Sequence, residues 1–102
     1  MTKLQCCPTS DGSAAVVLCS QKFLDSHPEL KSQAIEIAGQ AMATDDVALL
    51  GGSAIELVGA EMTKRAANLV YKQAGVGPKD IQVVECHDCF SANEMYFPWQ
   101  VG

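Results

Sequence analysis

At 102 residues with a net charge of −5, the chain is long enough for one small domain, and its acidic balance, with no Lys/Arg cluster, argues against a nucleic-acid surface. It is 48% hydrophobic and 19% charged, an ordinary globular composition, and no apolar run approaches the roughly 18 residues a membrane span requires. Met1-Thr2-Lys3-Leu4 lacks the apolar core of a signal peptide, Trp99-Gln100-Val101-Gly102 is not a Ser-Lys-Leu-type address, and five cysteines in that setting read as reduced intracellular thiols rather than a disulfide framework.

Taken in chain order, Thr9-Ser10-Asp11-Gly12 reads as a turn. Ala14-Ala15-Val16-Val17-Leu18-Cys19 follows as an apolar run between turn signals, the pattern of a buried strand, with Cys19 a small core hydrophobe. Ser20 is placed to cap a short helix from Gln21 to about Ser26, which His27-Pro28 stops because a residue before proline is pushed out of the α region. His27 reads as a surface residue at the helix end. Ala34 to Met42 is ambiguous between helix and strand, its alanines favouring helix. Thr44 to Ser53, with Asp45-Asp46 and Gly51-Gly52, reads as a solvated loop.

The clearest helix comes next. Ile55, Val58, Met62, Ala66, Leu69, Val70 and Gln73 recur at three- and four-residue steps, with Glu61, Lys64, Arg65, Asn68 and Lys72 on the other faces. Ser53 is the expected cap and Gly75 the expected left-handed terminator. Gly59 weakens the start by about 1 kcal/mol relative to alanine, so the helix is expected to begin properly only after it. Gly77-Pro78 then turns the chain into Ile81-Gln82-Val83-Val84, a β-branched, apolar strand candidate. Strand, helix, strand with a long crossover is a βαβ unit, expected to be right-handed.

Beyond that strand lies the stretch with the most chemistry, Glu85-Cys86-His87-Asp88-Cys89-Phe90-Ser91-Ala92-Asn93-Glu94. Ser91 and Glu94 have capping-box spacing, and Phe90 and Met95 have that of a hydrophobic staple. His87, Asp88 and Cys89 therefore fall between a strand end and a helix start, where ligands gather in open α/β sheets. A thiol just ahead of a helix faces the positive end of its dipole, and an imidazole two residues away supplies a proton carrier.

His87-Asp88-Cys89-Phe90 followed by Ser91-Ala92-Asn93-Glu94 closely resembles the HDCF motif of the sterol carrier protein-type thiolases, peroxisomal 3-oxoacyl-CoA thiolases often fused to a sterol or lipid carrier domain. Cys6-Cys7-Pro8-Thr9-Ser10-Asp11-Gly12-Ser13-Ala14-Ala15 is similar to the segment before the last strand of that family's N-terminal half, and Val58-Gly59-x-x-Met62 and Gly77-Pro78-Lys79-Asp80-Ile81 fall in family order. The resemblance implies a partial, thiolase-like α/β fold: a strand and helix, then a βαβ unit ending in the HDCF turn and a short helix, with Ala34 to Met42 as a strand. It divides the chain into the end of the family's N-terminal half (1–30), the start of its C-terminal half (31–97) and a divergent tail (98–102). In that tail Pro98 would break the helix after about two turns. The expected origin is a truncated isoform, a divergent product or a fragment.

The resemblance also implies the chemistry. Thiolases of this type use a nucleophilic cysteine, a Gly-His-Pro histidine that activates it, an HDCF histidine in the oxyanion hole and an HDCF cysteine as acid/base. The last two fall on His87 and Cys89, with Asp88, Ser91 and Glu94 in support. The first two have no counterpart: Cys6 and Cys7 do not hold the nucleophile's position, and Ser26-His27-Pro28 lacks the glycine. The chain alone is therefore expected to be inactive. No tightly bound cofactor is implied; a coenzyme A thioester is the family substrate. Acyl-CoA, a sterol or lipid, and the rest of a thiolase chain or a dimer partner are the implied partners, with peroxisomal localisation by resemblance; with no targeting signal in the sequence, a complete product of this length is expected to be cytoplasmic.

Three other readings stay open. Cys86-x-x-Cys89 is formally a dithiol redox spacing. A zinc site would draw on Cys86, Cys89 and two of Cys6, Cys7 and Cys19. A non-catalytic chain with an exposed apolar edge would bind a thiolase subunit or a lipid.

Overall fold

The computed structural model describes residues 2–95, apart from the side chains at positions 48 and 49. The helix break expected at Pro98 and the divergent tail lie outside the described residues. Among the described residues four helices are present: α1 (Gln21–Ser26), α2 (Ala54–Leu57), α3 (Ala60–Ala74) and α4 (residues 91–95). Single 3-10 turns occupy Lys3–Gln5, Pro28–Leu30, Val47–Leu50 and Pro78–Asp80.

The locally encoded elements form as the sequence dictates. The Ser20 hydroxyl accepts from the Phe23 amide at 3.2 Å, which caps α1. His27 ends α1 and stacks its ring on Phe23, with centroids 4.1 Å apart and planes at 19°. Its Nδ1 also lies 2.9 Å from the Phe23 carbonyl oxygen. Gly59, buried, takes a φ of 87°, a left-handed conformation that costs an L-residue with a side chain about 1–2 kcal/mol. It therefore interrupts the apolar stripe, leaving α2 as one turn and starting α3 at Ala60. Ser53 precedes α2 without a side-chain cap bond, contrary to its expected role. Gly75 closes α3 at a φ of 69°, and the amides of Gly75 and Val76 both donate to the Tyr71 carbonyl.

One extended segment is tied to α3. A Cβ on Gly39 would lie 3.0 Å from the Val70 carbonyl oxygen and 3.3 Å from Val70 Cγ1, so the backbone approaches the helix as only glycine allows. The Gln40 amide donates to Gln73 Oε1 at 2.9 Å. Arg65 donates to Asp46 Oδ2 at 2.9 Å and to the Thr44 carbonyl. The loop read as solvated is thus anchored at Asp46.

The α/β pattern is realised in its helices and not in its strands. Residues 14–19, 34–42 and 81–84 carry no regular structure, and the only β pairing among the described residues is an antiparallel bridge between Cys6 and Phe90. The expected strand–helix and βαβ units are therefore not formed. The physical reason is the lack of neighbours: a strand is stabilised by the ladder beside it. Val17 is 97% exposed and Ile35 90% exposed; Cys19 is exposed rather than in a core.

Among the described residues no hydrophobic side chain is buried. The accessible surface is 8951 Å², whereas a compact chain of this mass would expose about 5,500 Å². The radius of gyration is 17.4 Å, against about 13 Å for a compact domain of this length. These residues build helices and local turns without closing a core of their own.

Candidate functional site

The site is centred on the entrance to α4. The Asn93 amide donates to the Phe90 carbonyl at 2.8 Å, so the helix opens at Phe90, one residue earlier than capping-box spacing suggests. Ser91 consequently lies inside the first turn, half-buried, and Glu94 is exposed. No Ser91–Glu94 cap bond forms among the described residues, because the early start moves both residues out of the capping register.

That start leaves Cys89 just ahead of the helix and half-buried. Asn93, four residues on, donates from Nδ2 to the Cys89 sulfur at 3.2 Å. Asn93 had no role in the sequence reading; the i, i+4 spacing from Cys89 was its signal, visible once Cys89 rather than Ser91 is taken as the residue facing the helix's first turn.

A second element reaches the same place. The Cys7 amide donates to the Cys89 carbonyl at 2.9 Å, and Cys6 pairs with Phe90 in the antiparallel bridge. The segment read as preceding a strand of another half thus lies against the motif.

His87 and Asp88 are exposed and make no side-chain hydrogen bond or ion pair among the described residues. Of the sequence-predicted residues, Cys89 and Ser91 are half-buried at the helix entrance; His87, Asp88 and Glu94 are exposed and make no side-chain hydrogen bond with them among the described residues. Cys86 is exposed, and all five cysteines are free. No three His, Cys, Asp or Glu side chains converge as metal ligands among the described residues, so the zinc arrangement is not formed. Chemically, the site offers a thiol with a fixed hydrogen-bond donor at its sulfur and a solvent-accessible imidazole two residues upstream.

A family model described as thiolase C-terminal domain-like matches residues 52–102, half of the chain, including α2, α3 and the HDCF segment. The chain belongs to the thiolase C-terminal domain-like family. That membership carries a thiolase-like fold. The chain is 51% identical over 96 residues to sterol carrier protein 2 of Bos taurus, an alignment covering 93% of this chain and 18% of that protein. It is 44% identical over 96 residues to non-specific lipid-transfer protein-like 2 of Caenorhabditis elegans, covering 93% and 23%. To an acetyl-CoA acetyltransferase of Methanocaldococcus jannaschii it is 34% identical over 99 residues, covering 97% and 24%. This thiolase-family chain thus spans no more than a quarter of the length of these relatives. No helix of the described residues is long and apolar enough to cross a membrane.

Proposed function

We propose that the chain is part of a sterol carrier protein-type acyl-CoA thiolase, and that it supplies the acid/base half of the site. The reaction is acyl-CoA + acetyl-CoA = 3-oxoacyl-CoA + CoA. Residues 1–30 belong to the N-terminal half of the duplicated fold, and 31–97 begin the C-terminal half. In the assembled protein the extended segments 14–19, 34–42 and 81–84 become strands by pairing with thiolase segments that this chain does not contain. The setting is peroxisomal fatty acid metabolism linked to sterol and lipid handling.

The observation that carries the reading is Cys89, held at the entrance of α4 with the Asn93 amide on its sulfur. Cleaving a 3-oxoacyl thioester releases an enolate, which needs hydrogen-bond donors at its oxygen and a proton donor at its carbon. Cys89 supplies the proton, and His87, free to turn towards a bound thioester, supplies a donor to the oxygen. The nucleophilic cysteine and the Gly-His-Pro histidine come from outside this chain, which by itself does not turn over.

The test is a chimera: residues 6–95 replace the matching segment of the bovine relative, and thiolysis of acetoacetyl-CoA is followed. The chimera is expected to retain turnover. Cys89→Ala should lower it by about 10²–10⁴-fold, the range of general acid–base catalysis. His87→Ala should lower it by about 10²–10³-fold, the range for one oxyanion donor. A folded, active chimera indifferent to Cys89→Ala overturns the assignment.

The exposed apolar segments favour a second reading, in which the chain is non-catalytic and docks on a thiolase subunit or a lipid. Saturable binding of the isolated chain to the relative's subunit, together with inactive but folded chimeras, would select it.

A further inference from the structure

The antiparallel bridge between Cys6 and Phe90 fixes a register in which the next pair along is Cys7 and Cys89. The hydrogen bond from the Cys7 amide to the Cys89 carbonyl, at 2.9 Å, belongs to that register. Directly opposed residues of an antiparallel pair direct their side chains to one face. A pair that exchanges both hydrogen bonds holds its α-carbons about 5.5 Å apart, inside the roughly 4.4–6.8 Å that a disulfide spans; Cys7 and Cys89 make one of the two, which brings their backbones into that range. Cys6 points to the opposite face, where its sulfur contacts the Thr2 carbonyl at 3.6 Å. Cys7 is exposed and reachable by a small oxidant; Cys89 is half-buried with its sulfur already held by Asn93. Cys86 lies outside the pairing and is exposed.

We propose that Cys7 and Cys89 form a reversible disulfide that clips the N-terminal segment onto the HDCF turn. The oxidant is a low-molecular-weight disulfide. The Cys7 thiolate attacks one sulfur of glutathione disulfide, and one glutathione leaves as a thiolate and takes up a proton. The Cys89 thiolate then attacks the Cys7 sulfur of the mixed disulfide; the Cys7–Cys89 bond forms and the second glutathione leaves in the same way. Two protein thiols are oxidised and one disulfide is reduced to two thiols. The bond stands on the pairing register alone. Only its consequence, the closing of Cys89 to proton transfer, rests on the thiolase reading.

The full chain is incubated with glutathione disulfide, free thiols are alkylated, and tryptic peptides are analysed unreduced by mass spectrometry. Trypsin leaves Cys6, Cys7 and Cys19 on one peptide and Cys86 and Cys89 on another, so the variants assign the bond. The expected result is an inter-peptide crosslink whose rate is independent of protein concentration. It persists in Cys6→Ala, Cys19→Ala and Cys86→Ala and falls at least tenfold in Cys7→Ala, Cys7→Ser and Cys89→Ala. Circular dichroism of the two Cys7 variants checks that their helices are intact. A crosslink that survives in both Cys7 variants, a Cys86–Cys89 bond within one peptide, or glutathione adducts alone would overturn the proposal. In the chimera, oxidation should lower turnover at least tenfold, with recovery in dithiothreitol and no loss in Cys7→Ala. Loss of this effect with the crosslink intact would count against the thiolase reading, not against the disulfide.

Discussion

At the scale of single residues, the helix entrance turns on what surrounds one sulfur atom. Asn93 donates to Cys89, while Ser91, the residue with the recognisable capping spacing, sits inside the turn. Asn93→Leu keeps the volume and removes the donor. A hydrogen bond of this kind contributes about 1 kcal/mol, so in the thiolase chimera kcat is expected to fall about fivefold while KM changes less than twofold. Steady-state kinetics separates the two; a rise in KM with unchanged kcat would instead place Asn93 in ground-state binding. His87 and Cys89 were singled out in the sequence because the motif names them by type and order. Asn93 was hidden because its role depends on where the helix starts, which a shift of one residue decides.

Between elements, two glycines do distinct work. Gly59 separates α2 from α3 at a φ of 87°. Gly59→Ala should destabilise the start of α3 by about 1–2 kcal/mol, seen as a lower urea midpoint for the helical signal in circular dichroism. Gly39 lets the chain lie against α3, where a Cβ would meet the Val70 backbone oxygen at 3.0 Å. The helix backbone cannot yield there, so Gly39→Ala should lift the segment, break the Gln40–Gln73 hydrogen bond and raise exchange of the Gln40 amide about fivefold. Helix ends were readable because caps and breakers act locally: Ser20, His27-Pro28, Gly59 and Gly75 each do what their residue type allows. Ser53 shows the limit, since a capping residue type in the capping position makes no cap bond here. The strands were not readable in the same way. Val16, Val17, Ile35 and Ile37 have the right residue types, yet a strand also needs a partner chain, and none of these segments finds one among the described residues. The Arg65–Asp46 pair was equally out of reach, because the two lie 19 positions apart and the chain between them had to fold before they could meet.

At the scale of the whole molecule, the open dimensions and the lack of a buried apolar side chain among the described residues set the stability expected of the isolated chain. It should unfold over a broad temperature range and bind an apolar dye such as ANS while native, since little cooperative core is present to melt. Small-angle scattering is expected to give a radius of gyration near 17.4 Å. Adding the remaining segments of the bovine relative in trans should sharpen the transition and suppress dye binding. A sharp transition without them would mean that the chain packs a core unaided. The contact between Cys7 and Cys89 adds a matter of timing, because its partners lie about 80 residues apart. At about 5–20 residues per second of synthesis, the N-terminal segment leaves the ribosome some 4–16 s before the turn that it pairs with exists. During that interval α3 has room to form, while the cysteine segment is exposed to chaperones and to any other passing edge. The HDCF turn therefore finds this neighbour only after α3 has been made, and a pause in translation after α3 would lengthen the wait without disturbing the helices already made.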